Sequence, residues 1–234
     1  MSIFTIADLH LPLGAQKPMD IFRGWDNYVE RLRENWLAAV HPEDTVVLAG
    51  DLSWALKLAE TEKDFAFLEA LPGKKLIIKG NHDLWWDSVT KMRRFLETCG
   101  FSTFDFIHNN AFLADGLALC GTRGWFFDDP LSGDKKILLR EAGRLDVSIT
   151  AAEQTGGRPV VFLHYPPVAF DRECPEICDV LKAHNIKSVY YGHLHGASTT
   201  RAVRGEWNGM QLELISADFL KFKPLQVVTR EKNQ

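Results

Sequence analysis

The chain has 234 residues, 46% of them apolar and 25% charged, with a formal net charge of −4. A chain of this length buries roughly 70% or more of its unfolded surface, so it needs no disulfide and is read most economically as one domain over residues 1–234. The mild acidity argues against a broad basic face for nucleic acid, and no run approaches 18 consecutive apolar residues, so nothing reads as a membrane span.

The first residues have neither a basic segment nor a long apolar one, and residues 2–7 read as a strand rather than a signal peptide. That strand runs into Asp8-Leu-His10 and a proline-containing loop. Trp25, Tyr28, Val29, Leu32, Trp36 and Leu37 fall at helical spacing, predicting a helix over 25–40 that stops before Pro42. Residues 45–50 form a buried strand ending on Gly50-Asp51, and a helix over 55–71 closes at Pro72-Gly73. Strand 75–79 leads into Gly80-Asn81-His82-Asp83, and helix 88–99 stops at Gly100. Short apolar runs at 104–107, 111–113 and 117–120, split by Asn109-Asn110 and Asp115-Gly116, predict an antiparallel meander. A helix over 134–155 ends at Gly156-Gly157. Strand 160–164 ends on His164, and a helix follows around 175–184. Strand 188–191 runs into Gly192-His193-Leu-His195, and 207–215 and 225–230 read as closing strands. Strand and helix alternate on both sides of the meander, which implies an α/β class with two packed sheets and helices on the outer faces.

Each of five strands thus ends in residues that bind transition metals. A parallel sheet gathers the carboxyl ends of its strands along one edge, where ligands bind. Carboxylate, imidazole and one amide oxygen make a mixed set that suits Mn, Fe, Zn or Co better than Ca, Mg or Cu(I). Asp8 and His10 stand at i, i+2, as do His193 and His195. Asp51, after a central strand, is the candidate to bridge two ions, and Asn81 adds a neutral oxygen. Two ions would acidify a shared water to a hydroxide able to attack phosphorus in line. His82 is placed to donate a proton to the leaving oxygen, with Asp83 as its candidate orienting partner. Each fragment alone has a plainer reading, a chance Asp-x-His or a Gly-Asp turn. The combination decides, because five of the eight histidines fall in these clusters and the others, His41, His108 and His184, read as surface or capping residues.

Arg123, in a glycine-flanked loop, is a candidate phosphate clamp or a surface ion pair. Arg201 and Arg204 are weaker candidates, and Lys135-Lys136 reads as a solvated helix start. Trp85, Trp86, Trp125, Phe126 and Phe127 either line a pocket for a nucleobase or lipid, or pack a helix–sheet junction. Cys99, Cys120, Cys174 and Cys178 lack zinc-type spacing and read as reduced, partly buried residues of a cytoplasmic protein.

This ordered set from residue 8 to residue 195 resembles the calcineurin-like metallophosphoesterase superfamily. The resemblance implies a four-layer α/β/β/α sandwich and a binuclear metal-dependent phosphoric ester hydrolase. It implies that one metal takes Asp8, His10, Asp51 and His195, the other Asp51, Asn81, His164 and His193, and that His82 is the catalytic histidine. The phosphoprotein phosphatase branch carries GDxxDRG, whereas here Asp51 is followed by Leu52-Ser53-Trp54-Ala55. That departure points away from phosphoprotein substrates, and the compact chain is more similar to small bacterial phosphohydrolases. The expected partner is a small phosphorylated substrate. The competing readings are a nuclease or nucleotide phosphodiesterase, and a non-catalytic scaffold.

Overall fold

Three strands, β1 (Ile3–Ile6), β2 (Thr45–Ala49) and β3 (Lys74–Ile78), are built on apolar runs, with two lysines opening β3, because both of their faces are covered. The computed structural model describes residues 1–15, 17–125 and 135–228. Phe126 and Phe127, the expected helix start at residue 134 and the end of the expected strand 225–230 lie outside the described residues.

Helices α1 (Tyr28–Ala39), α2 (Glu62–Glu69) and α3 (Val89–Cys99) connect β1, β2, β3 and β4 (Phe104–Phe106), which run parallel in that order. The second sheet opens with the hairpin β5 (Phe112–Ala114) and β6 (Leu117–Thr122). After α4 (Lys135–Gln154) come β7 (Arg158–Leu163), the small ribbon β8 (Val168–Ala169) and β9 (Arg172–Glu173), and α5 (Pro175–Ala183). β10 (Ser188–Tyr191), β11 (Gly205–Trp207) and β12 (Met210–Leu214) complete that sheet, in the order β11-β12-β10-β7-β6-β5. β13 (Leu225–Gln226) returns antiparallel to β1 on the edge of the first sheet.

The pleat sorts side chains into layers. Val46 and Leu48 face α1 and α2 with Leu32, Trp36 and Phe65, while Val47 and Ala49 face the other sheet. Leu76, Ile78, Leu119, Val160, Phe162 and Tyr190 fill the space between the sheets. Leu138, Leu145, Ile149 and Leu181 cover the far side of the second sheet. The result is the α/β/β/α sandwich. No helix among the described residues is long and apolar enough to cross a membrane.

Four local expectations change. The run 104–107 does not join an antiparallel meander: β4 lies parallel to β3, and only β5 and β6 form a hairpin. Apolar alternation alone does not tell an outer parallel strand from a meander strand. The helix expected over 55–71 begins only at Glu62, after a short 3₁₀ turn at Leu58–Thr61. Ser53 Oγ accepts from Ala55 N, and Glu60 Oε2 from Leu56 and Lys57 N, so side chains take the backbone donors that a longer helix would use. The first helix begins at Tyr28 instead of residue 25, because Asn27 is left-handed at φ 50°. The run 207–215 is a hairpin, not one strand, turning at Asn208-Gly209 with φ of 47° and 77°, an Asn-Gly signal the sequence reading passed over.

Lys75 is fully buried, its ammonium donating to the Leu71 carbonyl and to Thr103 Oγ1. Burial pulls its pKa from 10.5 down to about 8, against the opposing pull of Glu69. Between those values the unfolded chain holds more protons than the folded one, so stability rises as pH rises through the window. In urea melts, wild type gains ~1–2 kcal/mol between pH 7.5 and pH 10 relative to Lys75→Met, after allowance for solvent screening. An unchanged difference between the two proteins would remove this account of Lys75.

Candidate metal centre

The carboxyl ends of β1, β2, β3, β7 and β10 carry the five clusters, and a seam at β12 brings the two sheets together there. Ala7 N donates to Ile215 O and Ala217 N to Ala7 O, while Ile215 N donates to Tyr191 O. Asp8 and His10 of the first sheet therefore meet His164, His193 and His195 of the second. Asp8, His164, Asp51 and His10 are all at most 3% exposed.

Two groups of donors form. Asp8 Oδ1 lies 3.3 Å from His195 Nε2, which lies 3.4 Å from His10 Nε2. Asn81 Oδ1 lies 2.6 Å from His164 Nε2 and 3.0 Å from His193 Nδ1. Asp51 Oδ2 stands between the groups, 3.8 Å from His10 Nε2 and 3.5 Å from His164 Nε2. The seven side chains expected to gather do so. Asp8, His10 and His195, and again Asp8, Asp51 and His164, place ligand atoms close enough to share an ion.

The arrangement fits divalent ions on three counts. Ligands about 2.1 Å from one ion stand roughly 3.0–4.2 Å apart, which is the range of most of these separations. Asp8 Oδ1 is buried without a hydrogen-bond partner among the described residues. His164 Nδ1 faces the Ala49 carbonyl at 3.2 Å, so the neutral ring donates there and turns a bare Nε2 lone pair on the Asn81 oxygen. A cation converts that repulsion into attraction. His195 is fixed likewise, Nδ1 lying 3.1 Å from Asp218 Oδ1. This backing of a ligand histidine by a carboxylate or carbonyl sets the ring's orientation.

Without ions the charges strain against each other. Burial lowers His10 and His193 to about 3. Burial, then the carboxylates of Asp83 and Asp8, raise Asp51 well above the usual range. Burial opposes charge on His195 too, yet Asp8 and Asp218 raise it to about 10, while burial of Asp8 is outweighed by His195, which holds that carboxyl below its normal value.

Local sequence explains the tight spacing. A Cβ on Gly80 would stand 2.1 Å from Asp51 Oδ1, and one on Gly192 2.5 Å from Asp8 Oδ2. Asp8, His10, Asp51 and His193 all adopt positive φ, from 46° to 71°. That conformation re-aims each side chain from the strand direction into the cluster.

Of the remaining candidates, His82 lies at the mouth. Its N–H donates to Asp51 Oδ1 at 2.7 Å, and its ring sits 5.7 Å from His10 and 4.8 Å from Trp54. Asp83 departs from the expected pairing with His82. Its Oδ1 accepts from Leu52 N and Trp85 Nε1, and its Oδ2 from Asp51 N and Gly80 N. Those four bonds use the acceptor capacity of the carboxylate and pin the Asp51 and Asn81 loops together. Arg123 contributes its carbonyl to the centre, accepting from His164 N and Tyr165 N, but its guanidinium lies 3.4 Å from buried Glu141. Trp85 is buried against Phe65, and Trp86 packs on Phe106, so this pair serves the helix–sheet junction. His184 pairs with Asp146 and Glu153 as a surface residue, and His108 is half-buried near Trp86.

Two contributors escaped the sequence reading. Trp54 stacks on His10 at 4.5 Å and 18°, with the Lys17 ammonium 3.6 Å from the centre of its ring. A lone Trp in a loop gives no signal for this. Asp218 had one: it closely follows the last parallel strand, the same position that marked the other clusters.

The family profile described as calcineurin-like phosphoesterase matches residues 1–197. No curated protein matches the chain. Among solved structures, the phosphopantetheinyl hydrolase PptH from Mycobacterium tuberculosis is similar at TM-score 0.55 and 14% identity, covering 100% of this chain and 98% of that one. TT1561 of Thermus thermophilus gives TM-score 0.55 and 14% identity, with 97% and 98% covered. At such identities the likeness concerns the fold, which is the sandwich described above. With the profile spanning every cluster from Asp8 to His195, the chain belongs to the calcineurin-like phosphoesterase family.

Proposed function

We propose that the protein is a binuclear metal-dependent phosphoesterase that hydrolyses a small phosphomonoester or phosphodiester. The observation that carries this reading is Asp51, whose Oδ2 faces donors of both groups. In this reading Asp8, His10, Asp51 and His195 would hold one ion, and Asp51, Asn81, His164 and His193 would hold the other. When bound, divalent ions such as Mn, Fe, Zn or Co supply Lewis acidity and a water of lowered pKa. The protein's own groups do the rest. Asp218 and the Ala49 carbonyl fix the tautomers of His195 and His164. Asp83 fixes the loops that carry Asp51 and Asn81. His82, at the mouth, donates a proton to the leaving oxygen. The four thiols are free, three of them buried, which suits a cytoplasmic protein and leaves nucleophilic duty to water.

The test is metal analysis of the purified protein combined with parallel assays of p-nitrophenyl phosphate and its bis ester across several metals. About two ions per chain and metal-dependent cleavage of at least one ester are expected. Substoichiometric metal, with neither ester cleaved under any metal, would overturn the proposal.

A further inference from the structure

Beside the centre, on the same carboxyl edge, lies a cavity of about 290 Å³ whose lining spans both sheets. Lys79 follows β3, His108 follows β4, and Arg123 follows β6, while α4 presents Arg140, Glu141 and Arg144 on one face. Among the described residues lining it, four basic side chains, Lys79, Arg123, Arg140 and Arg144, meet one carboxylate. That carboxylate is already spent. Glu141 Oε2 accepts from Thr122 Oγ1, and its Oε1 is shared by Arg144 at 2.7 Å and Arg123 at 3.4 Å. Lys79 and Arg140 have no ion pair among the described residues. Two donors beside this cavity, Arg123 Nε and Trp125 Nε1, are buried with no hydrogen-bond partner among the described residues. Buried donors without an acceptor are costly, and positive charge this dense is held together best by an anion. Glu141 sets the two guanidiniums, and the Arg123 guanidinium lies 4.9 Å over the Trp125 ring, so the donors are preorganised. The backbone joins this cavity to the centre, since the Arg123 carbonyl accepts from His164 N at 3.2 Å and Lys79 precedes the Gly80-Asn81 loop.

We infer that this cavity holds a second phosphoryl group of the substrate, so that the preferred substrates are small molecules bearing two phosphoryl groups, one cleaved at the centre and one held by Arg123, Arg144, Lys79 and Arg140. The inference rests on the phosphoesterase reading for the first group. The cavity itself is tested apart from it, in the Asp51→Asn background, where the centre is disabled. Equilibrium dialysis of that variant against labelled inorganic phosphate is expected to show one bound phosphate. Adding Arg123→Met and Arg144→Met weakens the binding about tenfold or more. Adding Lys79→Met and Arg140→Met instead weakens it as well, and leaves every ion pair of Glu141 in place, so misfolding does not explain the loss. No phosphate on folded Asp51→Asn, or equal binding in all variants, overturns the site. A failure of the phosphoesterase reading shows separately, as absent metal in the wild-type protein.

A ruler distinguishes a substrate-borne group from free phosphate. Alkane bisphosphates of graded length are compared with alkyl monophosphates as inhibitors of p-nitrophenyl phosphate cleavage. One length is expected to inhibit about tenfold or more better than its monophosphate, because the second contact is intramolecular. That advantage disappears in Lys79→Met/Arg140→Met. If no length gains over the monophosphates, the cavity binds free phosphate only and the substrate-borne reading falls.

Discussion

Asp51→Asn is expected to lower phosphoester hydrolysis by more than about 100-fold, beyond the usual cost of losing a mere supporting partner of a metal ligand. The geometry says how the amide would sit. Asp51 Oδ1 accepts the His82 N–H, so the amide oxygen stays there and the NH₂ takes the place of Oδ2. That NH₂ then faces His10 Nε2 and His164 Nε2, which become hydrogen-bond acceptors for it instead of metal ligands. The same change removes a buried carboxylate that resists ionising. The metal-free variant is therefore expected to melt at or above the metal-free wild type, while binding fewer ions. Metal analysis and thermal melts with and without chelator check both halves. A variant that keeps two ions and its rate would end the bridging role.

His82→Gln is expected to leave the ion content unchanged and to reduce turnover of substrates with poor leaving groups by about 10²–10⁴, the range for a positioned proton donor. Esters of p-nitrophenol, whose leaving oxygen needs little help, should lose far less. His82 suits this variant because its side chain is exposed and its known bond to Asp51 is through the backbone. Rates on an alkyl and an aryl phosphate, measured on the same preparations, give the comparison. Equal losses on both would assign His82 to binding instead of proton transfer.

Much of this architecture was legible because burial on two faces leaves plain marks. Residues 46–49 and 76–78 read as continuous apolar runs, and each run leads into a polar cluster. The seven gathered side chains followed from that single regularity. Asp218 obeyed it too, but one Asp beyond a strand lacks the density of Gly80-Asn81-His82-Asp83. Trp54 was visible only as the residue standing where another branch has Asp, since stacking on His10 depends on a loop path that no periodicity encodes. Asp83 misled because sequence adjacency suggested His82, whereas its carboxylate turns inward to backbone donors of two loops. The β4 strand misled for a different reason, a short alternating run being equally good as a meander strand or an outer parallel strand.

The backbone at the centre has a thermodynamic consequence. Asp8, His10, Asp51 and His193 occupy the left-handed region, where ordinary residues bear a cost of the order of 1–3 kcal/mol and aspartate and histidine sit toward the lower end. Glycine would relieve that cost at each position and remove the side chain that the proposed centre uses. A sequence shaped for stability alone would drift toward an inert edge, so robustness and reactivity compete here residue by residue.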